Sequence, residues 1–136
     1  MLINKARISL FLVFFISFAT SSIFLAIPFF KEEIRTEYLF NLVLKIIEIY
    51  SVPIGIIGGS MLGEKINPNL VVSIPTYYFA LISSIIWNLI VVLCFFIFAC
   101  FPDQNDKTLL ANINNIVPAI LWLIAGCLSY FFSSQK

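Results

Sequence analysis

The chain contains no histidine and very few charged residues of either sign. It has 8 basic and 7 acidic residues among 136, so 11% of the residues are charged and 61% are hydrophobic. Soluble domains carry about 25% charged and about 45–50% apolar residues. A soluble fold this short buries a limited share of its surface and could not hide so much apolar area. The composition therefore predicts an integral membrane protein.

The missing residue types also argue against several kinds of chemistry. Histidine is the commonest general base and the commonest metal ligand. The chain has no HExxH, GxSxG or P-loop motif. Its cysteines, Cys94, Cys100 and Cys127, lie inside apolar runs without a CxxC spacing, which predicts free buried thiols. We expect no enzymatic activity, no cofactor and no metal. A net charge of +1 without a basic patch argues against nucleic acid as a partner.

Three runs of the chain contain no Asp, Glu, Lys or Arg: residues 8–30, 66–102 and 108–135. A membrane-spanning helix needs about 20 mostly apolar residues, so each run is long enough. Backbone amides in lipid must bond within their own segment, and no alternating strand pattern is present, so the segments are predicted as helices. We expect an all-α fold in a single domain, residues 1–136. Its four-span helical bundle crosses the bilayer at about residues 8–30, 39–63, 75–101 and 112–132.

The segment 38–63 admits two interpretations, because Lys45 and Glu48 interrupt its apolar sequence. In the first it is the second span, with the charged pair facing other helices. In the alternative there are three spans plus one interfacial amphipathic helix, residues 32–50, which lies along the membrane surface. In that case only residues 51–63 enter the bilayer, and they are too short to cross a core about 30 Å thick.

Four spans place both termini on one side of the membrane. If that side is the inner one, its basic residues are Lys5, Arg7, Lys65 and Lys136, whereas the outer ones are Lys31, Arg35 and Lys107. The positive-inside rule favours this orientation by one residue. We expect a bacterial inner (plasma) membrane protein with both termini in the cytoplasm.

Small residues recur at every fourth position near the end of the second span: Ser51, Gly55, Gly59 and Gly63. Residues four apart share one face of a helix, so these positions form a groove almost without side chains. A GxxxG groove lets a second helix approach closely and gain packing contacts that lipid cannot supply. The groove is predicted to serve either packing within the chain or assembly of a homo-oligomer.

The same face continues upstream as a polar stripe. Its members are Glu33, Glu37, Asn41, Lys45 and Glu48. At about 100° per residue, the positions from Glu33 to Gly63 fit within an arc of about 120°. Lys45 and Glu48 are three residues apart and are predicted to pair. Pro53 is expected to break or kink this long element. Such a stripe should face another helix, in this chain or in a second copy, in preference to lipid.

Asn88 is a third intramembrane polar residue, near the middle of the third span. Ala80, Ser84 and Asn88 recur at steps of four and share one face. Asparagine in a membrane helix commonly bonds a neighbouring helix, a contact worth about 0.6–2 kcal/mol. Helix packing is the expected role for Asn88, with a ligand site as the alternative.

The chain differs from two classes of small membrane transport proteins. Small multidrug transporters carry a glutamate in their first span, and residues 8–30 contain none. The segment 58–63 is superficially similar to the glycine motif of dual-topology fluoride channels, but Glu64 and Lys65 stand where arginine is expected.

In kind alone, the chain resembles small inner-membrane proteins of bacterial conflict. This group includes bacteriocin immunity proteins, superinfection-exclusion proteins and membrane subunits of phage-defence systems. The resemblance implies a module that acts in the lipid bilayer by contact with its own copies or with a cytoplasmic partner protein. The alternative is a small channel or transporter with Lys45 and Glu48 lining its lumen.

Overall fold

The computed structural model describes residues 2–31, 36–62, 73–100 and 106–133. In these residues the chain forms four helices and no strand. The helices are α1 (Ile3–Phe30), α2 (Thr36–Leu62), α3 (Ile74–Cys100) and α4 (Asp106–Ser133). The prediction of an all-α protein is confirmed for the described chain.

Three helical segments are long and apolar enough to cross a membrane: Ile3–Phe30, Leu39–Leu62 and Ile74–Cys100. At about 1.5 Å per residue, each exceeds the roughly 30 Å of a hydrocarbon core. The segment that admitted two interpretations is one of the three. The described part of α4 contains a shorter apolar section, Ile120–Phe132. The four-span bundle therefore stays a prediction.

The four helices alternate in direction, and each packs against two neighbours. Helix α1 contacts α2 and α3, and α4 contacts the same two helices from the other side. Ser9 and Tyr77 share a hydrogen bond of 2.8 Å between hydroxyls, so α1 and α3 begin at the same end. The Tyr77 ring also contacts the Phe131 ring at a tilt of 54°, with the centroids 6.3 Å apart, so α4 finishes at that end.

The core is built from positions that alternate steps of three and four along each helix. On α1 these positions are Ile3, Arg7, Leu10, Phe14, Ser17, Ser21, Leu25 and Pro28, and all are buried. On α3 they are Tyr77, Ala80, Ser84, Trp87, Val91, Phe95 and Phe98. This spacing averages 3.5 residues and keeps one seam of each helix against its neighbours over its whole length. Several of the seam residues are polar, so the interior of the four-helix unit contains buried polar side chains.

Helix ends differ from the predicted spans in a systematic way. Helix α1 begins at Ile3, although its uncharged run begins at residue 8. Helix α4 begins at Asp106, six residues before the predicted span. Charged residues end an apolar run but not a helix, since lysine and arginine are good helix formers. Helix α2 is continuous through Pro53, so the helix does not break there, and the alternative of a kink stays a prediction.

Candidate functional site

The polar and small residues of α2 lie on the outside of the four-helix unit. We call Asn41, Lys45, Glu48, Ser51, Gly55 and Gly59 the α2 stripe. All of them are exposed except Lys45, which is half-buried. The core-facing residues of α2 are Leu42, Ile46, Ile49, Tyr50, Pro53 and Ile57. At about 100° per residue, these buried positions centre roughly opposite the stripe. The α2 stripe is thus the face that α2 turns away from its own chain.

Lys45 and Glu48 form the ion pair that their spacing predicts. The Lys45 ammonium donates to the Glu48 Oε2 at 2.6 Å, with the two side chains 31% and 64% exposed. The hydroxyl of Ser51 donates to the Glu48 carbonyl oxygen at 3.0 Å, which keeps this side chain against its own helix. Lys45 and Glu48 therefore lie directly beside the small-residue groove on the outer face of α2.

The glycine positions of the groove are open to the outside. A methyl group placed at Gly55 or Gly59 would meet nothing within 4 Å among the described residues. Packing inside the described chain therefore does not account for these glycines. Gly63, Glu33 and the side chain of Glu37 lie outside the described residues, so the ends of the predicted stripe are not placed.

Asn88 faces inward, together with Ala80 and Ser84. The three are 4%, 1% and 1% exposed, so the face predicted from their spacing is the buried face. The Asn88 Nδ2 donates to the Ser84 carbonyl at 2.8 Å, a bond within α3 and not to another helix. The described residues provide no hydrogen-bond partner for the Asn88 Oδ1, the Ser84 Oγ or the Trp87 Nε1.

A hydrogen-bond network around Tyr50 was missed from the sequence. The Tyr50 hydroxyl shares hydrogen bonds with Ser17 at 2.7 Å and Ser21 at 3.2 Å. Its ring contacts Trp87 edge-on, with centroids 5.8 Å apart. Because Ser17, Tyr50 and Trp87 each lie near the middle of their helices, the network occupies the central layer of the bundle. The sequence signal for this network was the spacing of Phe14, Ser17 and Ser21 by three and four residues, which places them on one face of α1.

Arg7 is a second buried residue that sequence reasoning missed. It was counted as a flanking charge before the first span, but it is 2% exposed. Its guanidinium carbon lies 5.7 Å from the centroid of the Phe132 ring, a cation–π distance. The signal was again spacing, because Arg7 continues the seam of Ile3 and Leu10. The neighbouring Lys5 is exposed, as a flanking charge should be.

The three cysteines are free thiols, as their spacing predicts. Cys94 and Cys127 are half-buried, whereas Cys100 is exposed at the end of α3. The expectation that all three are buried is therefore wrong. Cys100 follows Phe98 on α3 by two positions, which turns it away from the seam.

In comparisons with known proteins, no protein-family model, no curated protein and no solved structure matches the chain.

Proposed function

We propose that the protein is a non-enzymatic, four-span protein of the bacterial inner membrane that acts through helix–helix contacts in a homo-oligomer. The α2 stripe supplies the contact surface. The observation that carries this proposal is the outward position of the stripe, with Gly55 and Gly59 open to the surroundings. Two further features of the stripe support the same conclusion.

The first feature is the shape of the stripe. Gly55 and Gly59 leave backbone exposed along one side of α2, which allows a second helix to approach closely. In lipid there is no hydrophobic drive for association, so dense packing and weak Cα–H contacts provide the free energy. A side chain larger than Ala at either position would hold the second backbone away.

The second feature is the ion pair. A charge at the centre of a bilayer costs about 2.5–3.5 kcal/mol on insertion scales. The Glu48 side chain is 64% exposed, so a single copy would present it to lipid or to the interface. In a parallel dimer, Lys45 of one copy lies about one helical turn from the depth of Glu48 in the other. Each charge would then gain a second opposite charge, and association would lower the cost of both.

The fourth crossing is the part of this proposal that rests on α4. Its 28 residues make a helix about 42 Å long, and α4 runs alongside α2 and α3. The residues from 108 to 135 carry no charge. With α1 starting where α4 ends, both termini then lie on one side of the membrane, which we assign to the cytoplasm.

For the biological process, we propose bacterial defence or immunity, namely phage defence, superinfection exclusion or bacteriocin immunity. A module without catalytic groups acts by occupying a membrane partner, either its own copies or a cytoplasmic partner protein. Cells that produce the protein should show fewer phage plaques or survive a pore-forming bacteriocin. If phage plating and bacteriocin killing both match the empty-vector cells, this assignment is wrong.

Cysteine cross-linking tests the contact surface directly. In a chain with Cys94, Cys100 and Cys127 replaced by alanine, Ser51→Cys and Gly55→Cys should each form a disulfide-linked dimer in native membranes. Ile47→Cys is the matched control, because Ile47 is 51% exposed but lies about 100° from the centre of the stripe. Equal cross-linking at all three positions, or none at the stripe, would contradict the proposal.

A second candidate function is a small channel or transporter. The observation that favours it is the continuity of Asn41, Lys45 and Glu48 along one face. Since this face is on the outer surface of the four-helix unit, a lumen lined by it would form between copies of the protein. Ion flux in liposomes separates the two functions. A pore leaks ions without a partner, and replacing Lys45 and Glu48 would change that leak, whereas a contact module gives none.

A further inference from the structure

A side cavity of about 330 Å³ lies between α1 and α2. Ser22 and Ala26 line it on α1, and Val43 and Ile47 line it on α2, with a spacing of four in both helices. Residues four apart share one face of a helix, and the short side chains of Ser22 and Ala26 leave space between the two helices. Val43 and Ile47 are 39% and 51% exposed, so the cavity opens sideways, toward lipid in a bilayer.

The lining of the cavity is almost entirely hydrocarbon. Among the described lining residues, Ser22 alone carries a polar side chain. Its hydroxyl donates to the Phe18 carbonyl oxygen at 2.8 Å, within α1. The buried Leu25 and Ile46 form the inner wall. A polar group placed here would lose its hydrogen bonds without replacement, which is strongly unfavourable. The complementary occupant is therefore a hydrocarbon chain.

The cavity follows the depth of one membrane leaflet. Phe30 and Leu39 line its outer part, near the end of α1 and the beginning of α2, and Phe18 lines its inner part. Phe18 and Phe30 are twelve residues apart, so the cavity extends about 18 Å along α1. Half of a hydrocarbon core about 30 Å thick is about 15 Å. A chain that extends from the interface to the middle of the bilayer matches this length.

Lys31 is at the outer end of the cavity. It follows Phe30 directly and is exposed. A lysine at the end of a membrane helix places its ammonium among the lipid headgroups, where it can pair with a phosphate. Phosphate is common to zwitterionic and anionic phospholipids. Because Glu32 and Glu33 follow Lys31 in the sequence, the charge of this segment gives anionic lipids no advantage.

We propose that this cavity binds one acyl chain of a phospholipid from the leaflet at the Lys31 end. A chain in the cavity contacts both α1 and α2, whereas a chain on a plain helix surface contacts one helix. In lipid such contacts act through dispersion, and about ten additional carbon–carbon contacts favour the cavity over the plain surface about tenfold. A second helix, about 10–12 Å in diameter, is too wide to enter. The cavity shares no residue with the α2 stripe, so self-association does not depend on it.

Photolabelling tests this assignment with the whole protein in phosphatidylcholine nanodiscs. The probe is a phosphatidylcholine with a diazirine midway along one acyl chain, and mass spectrometry locates the adducts. Leu93 and Ile97 of α3 are the internal comparison. They are 55% and 46% exposed and lie in the same leaflet, because α1 and α3 run in the same direction. We expect about tenfold more label on Ala26 and Val43 than on these two residues.

Two results of this comparison would overturn the proposal. Equal label on the cavity and on α3 would mean ordinary lipid contact only. Less label on the cavity than on α3 would mean that protein covers it. Neither result requires a variant, so the comparison holds even if a substitution impairs folding.

Variants localise the effect to the cavity. Ala26→Phe fills the space, so label on Val43 should fall about tenfold, to the level of Leu93. Ile27→Phe is the matched control, because it adds the same ring one residue further along α1, where Ile27 is 37% exposed and does not line the cavity. Label on Val43 should stay unchanged in this control, and label on Leu93 should stay unchanged in both variants. Undiminished label on Val43 in Ala26→Phe, or equal losses in the two variants, would contradict the proposal.

Discussion

Tyr50 joins three helices through one side chain. Its hydroxyl reaches two serines of α1, while its ring lies against Trp87 of α3. The residue is 1% exposed, so the hydroxyl would be unsatisfied without these partners. In lipid, hydrogen bonds between helices average about 0.6 kcal/mol because the separated helices also find partners. Tyr50 thus contributes mainly by fixing the register of α2 against α1.

Tyr50→Phe should lower the free energy of unfolding by about 1 kcal/mol, since two interhelical hydrogen bonds are lost while the ring contacts remain. Reversible unfolding in bicelles measures this change. Tyr78→Phe is the matched control, because the Tyr78 side chain is 54% exposed, and it should have no measurable effect. Equal losses for both variants would mean that the network around Tyr50 does not contribute to stability.

At the scale of single elements, α2 carries two opposite faces with different roles. One face buries Leu42, Ile46 and Ile57 in the core, and the other presents the α2 stripe. The direction of the stripe followed from periodicity, because spacing of three and four groups residues on one side of a helix. Whether that side faces a helix of its own chain could not follow from α2 alone. It depends on which faces of α1 and α4 pack against α2, and the sequence of α2 contains no information about that.

The strength of the Lys45–Glu48 pair reports whether α2 crosses the bilayer. An exposed pair in water, as in an interfacial helix, is worth about 0.3–0.5 kcal/mol. In hydrocarbon, an unpaired charge costs about 2.5–3.5 kcal/mol. We expect a coupling of about 1 kcal/mol or more in a double-mutant cycle of Lys45→Met and Glu48→Gln, measured by unfolding in bicelles. A coupling below about 0.5 kcal/mol would favour the interfacial interpretation.

At the scale of the whole molecule, the all-helical fold and the number of helices could be predicted from the three uncharged runs together with the apolar segment 38–63. The burial of polar side chains in the interior could not be predicted from the sequence. Ser17, Ser21 and Arg7 belong to α1, whose apolar residues lie on every side of the helix, so hydropathy indicates no preferred face. Their burial is decided by the packing of α1 against α2 and α3 and, for Arg7, by its contact with Phe132 of α4, since steps of three and four bring these residues into the seam.

Four crossings predict that both ends of the chain lie on one side of the membrane. Reporter fusions at Asn4 and Gln135 should give the same signal, and a fusion at Asp106 should give the opposite one. The physical reason is the alternation of the helices, since α4 finishes where α1 begins. If the signals at Gln135 and Asp106 agree with each other and differ from that at Asn4, α4 does not cross.

Oligomer formation by the Gly59→Leu chain tests the central claim most directly. Leucine at this position meets nothing within 4 Å of its Cβ in the described chain, and it suits a helix better than glycine. The variant should therefore insert and fold while the groove is filled. The matched control is Gly126→Leu on α4, because Gly126 is also exposed and equally open around its Cβ.

Subunit counting by single-molecule photobleaching in lipid bilayers gives the oligomer size of each chain. We expect the unmodified chain and Gly126→Leu to be oligomers of one size, and Gly59→Leu to be a monomer, since close backbone approach is lost. If Gly59→Leu keeps the same oligomer as the control, or if the unmodified chain is a monomer, the α2 stripe does not hold copies of this protein together.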